Sequence, residues 1–170
     1  MSVGPFDSEQ DFANWVAKVS RWEDFLFYAI VDQGSGRAIG LASYMRIVPA
    51  HGCIEIGNIY FSPLLKRTTA ATESMYLMLR NVFDLGYRRC EWKCDRLNEA
   101  SRQAALRLGF RFEGTFRDAV VYKNRNRDTD WFAITATEWP GLRGQLEGWL
   151  APANFDELGK QRRSLQEFRL

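Results

Sequence analysis

Residues 53–86 read CIEIGNIYFSPLLKRTTAATESMYLMLRNVFDLG. Cys53 to Phe61 is an extended, largely apolar run closed by Ser62 and Pro63, and it reads as a strand. After Lys66 to Thr72, the residues Ala71, Met75, Met78, Leu79 and Val82 recur at helical spacing, and Gly86 ends the helix after Leu85. The junction, Arg67-Thr-Thr-Ala70-Ala71-Thr72, is a strand-to-helix turn made of small residues. Small side chains let backbone N–H groups approach a phosphate, and the helix dipole adds about half a positive charge at that point. The turn therefore reads as an anion cradle. It is not a Walker loop, because it lacks the GKS or GKT ending, and it is not a GxGxxG dinucleotide turn. A helix that begins with small residues because it packs closely on a sheet has the same appearance, so the turn alone fixes no ligand.

Upstream, Phe25 to Val31 and Ala38 to Val48 are apolar runs separated by the turn DQGSG, and they read as a hairpin buried on both faces. Before them Ser8 caps a helix EQDFANWVAKVS, with Phe12, Trp15, Val16 and Val19 on one side. Downstream, RRCEWKCD alternates Cys90, Trp92 and Cys94 with Glu91, Lys93 and Asp95, so one face of that strand is polar. Asn98 opens a short helix that carries Ala104, Ala105 and Leu108 and stops at Gly109. Strands of about Phe112 to Lys123 and Thr129 to Thr135 follow, joined by the charged turn NRNRD. A last helix spans about Trp139 to Leu150, and the polar stretch after it is expected to fray. Strands and helices alternate without a repeat or a low-complexity linker, which indicates an α/β or α+β domain.

At 170 residues, 46% hydrophobic and 14% aromatic, the chain suits one domain, residues 1–170, with a sizeable core. Lys and Arg number 23 against 21 Asp and Glu, and the net charge of +2 gives no global attraction to nucleic acid or an anionic membrane. Any anion site must be local. A nucleic-acid module would also need an aromatic stacking motif, and only scattered arginines are present. No run approaches the roughly 20 apolar residues of a membrane span, and the start MSVGPFDSEQ does not read as a signal peptide, so a soluble, cytoplasmic protein without a membrane partner is expected. Cys53, Cys90 and Cys94 show no CxxC spacing, and His51 lies between Pro49 and Gly52 in a turn. A zinc site, a disulfide scaffold and a Ser-His-Asp or Cys-His site are all unexpected.

A second helix start, Asn98-Glu-Ala-Ser101, leads to Leu108-Gly109-Phe110 and Glu113-Gly114. Asn98 can cap that helix. Two helix N-termini, each after a strand of one sheet, would let one hold a pyrophosphate while polar side chains of the other reach a neighbouring pantetheine chain. With these segments in this order, from about Phe25 to Trp139, the chain resembles the GNAT superfamily of acyl-CoA-dependent N-acyltransferases, in its ribosomal-protein N-acetyltransferase branch. The resemblance implies an α+β, layered fold with a central mixed, mostly antiparallel sheet flanked by helices. The core would span about residues 25–139, with a C-terminal helix and polar tail over 140–170. It implies acetyl-CoA as co-substrate and no metal. The superfamily signature of Arg or Gln followed by two Gly or Ala falls on Arg67, Ala70 and Thr72, where Thr72 departs from the pattern but still offers its backbone N–H. Coenzyme A contacts are implied for the turn, Arg67, Thr68, Thr69, Ala70, Ala71 and Thr72. They are implied also for Ile59, Tyr60 and Phe61 on the strand before it, and for Asn98 and Ser101.

Amide formation from a thioester needs an uncharged amine, a polarised carbonyl and a proton for the departing thiolate. An α-amine has a pKa of about 8 and a lysine amine of about 10.4, so a base or water relay is useful at neutral pH. Glu55 is the candidate, and strand parity places it with Gly57 and Ile59, opposite Ile56 and Asn58. By the resemblance, Ser101 matches the serine assigned to thiolate protonation, the tyrosine of many relatives falls on Ala105, and the branch's basic Glu falls on Val120. Backbone N–H groups near Ile59 and Tyr60 would polarise the carbonyl. The turn Lys123 to Asp128, with Trp131, lies where related enzymes shape the acceptor pocket, and a solvated hairpin is the alternative reading. Arg125, Arg127 and Trp131 are thus candidate substrate-binding residues, and their guanidinium groups favour a carboxylate on the acceptor or an acidic acyl group such as succinyl.

The function expected is acetyl transfer from acetyl-CoA to a primary amine, on a protein N-terminus or a small molecule, by direct attack in a ternary complex. An acyl-CoA-binding sensor without turnover, or an enzyme using another acyl group, remains open. Relatives of this kind commonly carry a further strand and helix ahead of the segment equivalent to Asp7 to Ser20, so either residues precede this sequence or a partner, such as a second copy in a homodimer, covers the sheet edge.

Overall fold

The structure is a computed structural model that describes residues 4–122 and 124–168. Helix α1 (Glu9–Val19) begins where Ser8 Oγ accepts the Asp11 N–H at 3.1 Å. Strands β1 (Phe25–Val31), β2 (Ala38–Val48) and β3 (Cys53–Phe61) follow, then α2 (Thr69–Asp84) and β4 (Arg89–Asp95). The chain continues through α3 (Glu99–Leu108), β5 (Arg111–Tyr122), β6 (Arg125–Thr135) and α4 (Trp139–Leu150). The six strands lie in the order β1-β2-β3-β4-β6-β5, and only the β3–β4 pair is parallel. This is the mixed, mostly antiparallel α+β sheet expected.

Alternation on β4 sets the layers. Cys90, Trp92 and Cys94 enter the core with Ile54 and Ile56 of β3 and Phe132 and Ile134 of β6. Met75, Leu79 and Val82 of α2, Ala105 and Leu108 of α3, and Trp139, Leu146 and Trp149 of α4 complete the same cluster, so three helices cover one face of the sheet. Helix α1 sits on the other face, at its β1 end. Trp15 meets Phe27 edge-on at 5.7 Å, and Phe27 pairs with Ser43, whose neighbours Ala42 and Tyr44 point into the core. Gly109 ends α3 at φ +98, where a Cβ would run into the Leu142 side chain, so the stop is set by both backbone and packing.

Three expectations are corrected. The β1–β2 hairpin is not buried on both faces. β1 is an edge strand whose Leu26 and Tyr28 are each 48% exposed, because their side lies beyond the reach of the helices. NRNRD is not a loop, since β6 begins at Arg125, Tyr122 pairs with Arg125, and Asn124 at φ +57 supplies the left-handed residue of a tight hairpin. Lys123, placed at the end of β5 by the sequence, lies outside the described residues. Through Phe168 the tail is folded and not frayed: 3-10 turns at Pro152–Asn154 and Leu165–Phe168 fold back on α4. Leu165 is buried, and Asn154 Nδ2 donates to the carbonyls of Trp149 at 2.9 Å and Arg163 at 3.1 Å. Among the described residues no helix is long and apolar enough to cross a membrane.

Candidate active site

β3 and β4 pair only through Cys53–Glu55 and Arg89–Glu91. Beyond that point they part, and a cleft of about 1490 Å³ opens between them. A bulge in β3 contributes to this geometry. Its register against β2 shifts between Gly57 and Tyr60, with Asn58 at φ +50. The bulge is pinned by Asn58 Nδ2 donating to Ser43 Oγ at 3.0 Å and Ser43 Oγ donating to the Gly57 carbonyl at 3.2 Å. The extra residue reverses side-chain parity, so Ile59 and Phe61 pack on the core with Ile54 and Ile56. The expected grouping of Ile59 with Glu55 is overturned.

At one end of the cleft Arg67 adopts φ +65 and delivers the chain to α2. Thr68 caps the helix: its Oγ1 accepts the Ala71 N–H at 3.3 Å and donates to the Leu65 carbonyl at 2.7 Å. Other first-turn N–H groups of a helix have no intrahelical acceptor, which suits this end to an anion. Arg67, Thr68, Thr69, Ala71 and Thr72 border the cleft, as do Ile59, Tyr60 and Phe61; Ala70 is exposed and does not. Thr72 is 4% exposed, and its Oγ1 accepts from Arg107 Nη1 at 2.9 Å. The hydroxyl is thereby turned to α3, which accounts for a threonine at a position where the signature carries a smaller residue. Arg107 also lies over the Trp149 ring at 5.0 Å, and Gln161 and Leu165 of the tail continue this wall. Sequence reasoning missed the tail's share; its signal was the apolar set Phe155, Leu165 and Phe168 inside a polar stretch.

At α3, Asn98 Oδ1 accepts the Ser101 N–H at 3.1 Å, so Asn98 is the cap. Ser101 Oγ accepts from Trp92 Nε1 at 3.0 Å, which leaves the serine's own proton for another acceptor. Burial pushes the neighbouring Cys94 thiol up, offset in part by a hydrogen bond from Ser101. Asn98 and Ser101 both border the cleft.

The face away from α2–α4 carries the charged residues. Glu55 is 3% exposed, with Lys93 Nζ at 2.6 Å and Arg46 Nε at 3.6 Å. Burial raises the Glu55 pKa, and the two cations offset part of that rise. Lys93 and Arg46 also lie over the Trp131 ring, at 4.4 and 5.3 Å. Arg127, Thr129 and Trp131 on β6 border the cleft. Arg125 does not: it bonds Asp95 and donates to the Tyr122 hydroxyl at 2.9 Å, two residues that do border it. Lys93, Arg46 and Thr129 were missed, although the polar face of RRCEWKCD pointed to Lys93. His51 sits exposed in the 3-10 turn Pro49–His51 and does not border the cleft.

A family model described as an acetyltransferase (GNAT) domain matches residues 2–111. The structure superposes on a GCN5-related N-acetyltransferase from Brucella melitensis with TM-score 0.97 and 50% identity, covering 99% of this chain and 77% of that one. A probable GNAT-family acetyltransferase from Chromobacterium violaceum gives TM-score 0.79 and 48% identity over 82% of this chain and 71% of that one. A spermidine N-acetyltransferase from Vibrio cholerae shares the fold at TM-score 0.65 and 18% identity, over 79% of each chain. No match is found among the curated proteins. With the family model spanning more than half of the sequence and near-complete superposition at half identity, the chain belongs to the GNAT acetyltransferase family.

Proposed function

We propose that the chain transfers an acetyl group from acetyl-CoA to a primary amine by direct attack, with both molecules bound at once. The observation that carries this reading is that Glu55, Ser101 and the N-terminus of α2 border one cleft between the parted β3 and β4. Acetyl-CoA would supply the acetyl thioester, its pyrophosphate held by backbone N–H groups of Arg67 to Thr72. Glu55, held above the ordinary carboxylate range by burial, takes through water the proton that the amine sheds as the C–N bond forms. Lys93 and Arg46 beside it disfavour a charged ammonium and so favour the neutral amine. Ser101 gives its Oγ proton to sulfur as the C–S bond breaks and regains one from solvent, while Glu55 releases its proton to solvent. Backbone N–H groups near Ile59 and Tyr60 polarise the carbonyl. The packing of the tail on α4 supports reading the chain as one domain.

The ion pair of Glu55 with Lys93 favours a second reading, a protein that holds acyl-CoA without turnover. Incubation with acetyl-CoA and a panel of amines separates the two. The enzyme releases free thiol and yields acetylated product by mass spectrometry; the sensor binds acetyl-CoA by calorimetry and releases none.

A further inference from the structure

On β6, Arg127, Thr129 and Trp131 alternate with Asp128 and Asp130 and share one face. Trp131 and Thr129 pair with Lys93 and Asp95, which puts this face on the side of the sheet away from α2–α4, and all three residues border the cleft. Among the described residues, Arg127 Nε, Thr129 Oγ1 and Trp131 Nε1 are each buried and without a hydrogen-bond partner. Thr129 as a whole is 6% exposed. Buried polar groups are nearly always satisfied, so three orphans in succession on one strand face require an explanation outside the chain. The residue opposite Arg127 on β5 is Val120, which offers no counter-charge. Asp95, opposite Thr129, is already taken by Arg125, by the Tyr122 hydroxyl at 2.7 Å and by the Leu97 N–H at 2.9 Å. Glu55 is shared between Lys93 and Arg46. With Asp95 neutralised, Lys93 and Arg46 pair with Glu55, Arg46 also lies 3.9 Å from Glu91, and among the described residues Arg127 is left without an ion-pair partner at this end of the cleft.

We propose that this row is a carboxylate subsite: Arg127 pairs with a carboxylate on one of the two molecules undergoing transfer, and the Thr129 hydroxyl and Trp131 N–H donate to further oxygens of the same molecule. Alternate residues on a strand stand about 6.6 Å apart, so the row meets several acceptor atoms and not one. Phe116, with its ring 4.9 Å from that of Trp131, supplies an apolar wall for the carbon skeleton between them. A polycationic acceptor is repelled by Arg127. The inference rests on the acetyltransferase reading, and the carboxylate has two sources, the acceptor amine or the acyl group.

Thiol release by the whole chain is measured in two arms. The first compares Ala-Glu-amide with Ala-Gln-amide as acceptors of acetyl from acetyl-CoA; the second compares succinyl-CoA with acetyl-CoA on Ala-Gln-amide. The carboxylate form should win in one arm by about tenfold to a hundredfold in kcat/KM, which also assigns its source. Arg127→Gln should erase that preference through KM, with acetyl-CoA affinity by calorimetry retained, and Arg127→Lys should keep part of it. Equal rates in both arms, a preference that survives Arg127→Gln, or faster turnover of spermidine than of either peptide overturns the subsite. Acetyl-CoA binding with no turnover of any amine refutes the transfer reading instead. Calorimetric titration of Ala-Glu-amide, Ala-Gln-amide and succinyl-CoA into the wild type and Arg127→Gln then decides the subsite, and indifference to the carboxylate overturns it.

Discussion

Ser101→Ala separates structural from chemical work at one atom. Asn98 and not Ser101 caps α3, so the stability cost arises at Trp92, whose Nε1 donates to Ser101 Oγ at 3.0 Å. Trp92 is 5% exposed, and removing its acceptor leaves a buried N–H unpaired, a loss of about 1–3 kcal/mol. At roughly 2–4 °C per kcal/mol for a chain of this size, the melting temperature should fall by about 2–12 °C. In a Trp92→Phe background the donor is gone, so Ser101→Ala should then cost far less stability, a clear non-additivity. The chemical effect should not depend on that background. Losing the proton donor should slow transfer about a hundredfold, or about 2.7 kcal/mol, with acetyl-CoA affinity nearly intact. A thiol pKa of about 8.5 makes the thiolate a tolerable leaving group unassisted, so some activity persists. Single-turnover thiol release at saturating substrates, with calorimetric melting of all four proteins, measures both effects. A full chemical rate in Ser101→Ala, or a rate loss that disappears in the Trp92→Phe background, removes Ser101 as proton donor.

Ala70 is exposed, so Ala70→Glu should fold and weaken acetyl-CoA binding about tenfold by repelling the pyrophosphate, while Ala70→Gln has little effect; equal affinities in calorimetry would move the pyrophosphate elsewhere. Burial raises the Glu55 pKa, so the base form appears only as pH rises through that value: kcat should climb with pH across the acidic range and Glu55→Gln should flatten that limb. The same raised folded-state pKa contributes stability below the unfolded value of about 4.3 that is lost as pH rises through the folded one, a loss that melting curves of Glu55→Gln should not show. Initial-rate plots should intersect, with no acetyl group trapped on Cys53, Cys90 or Cys94, since burial pushes the Cys90 and Cys94 thiols up and keeps them protonated; parallel plots with an acetyl-cysteine refute direct attack.

Local physics wrote much of the fold into the chain. The two-residue alternation of Cys90, Trp92 and Cys94, the helical spacing of Met75, Leu79 and Val82, and the breaks at Gly86 and Gly109 each need only neighbours in sequence to act, and each element they predict is present. The Asn98 cap and the small-residue turn before α2 were legible for the same reason. The site was less so, because its decisive features are agreements between residues far apart in the chain. Whether β3 keeps its parity depends on Ser43 holding Asn58, and whether Arg125 or Arg127 faces the cleft depends on Asp95 claiming the first and Val120 offering the second no counter-charge. Glu55 meets Lys93 because the short parallel pairing of β3 with β4 brings their polar faces together. Sequence alone determined which segments become strands, helices and the small-residue turn that starts α2, since propensity, periodicity and capping act within a few residues. Tertiary structure decided the bulge, the ion pairs and the buried polar hydrogens left without partners, since those depend on which distant groups the sheet brings within hydrogen-bonding range.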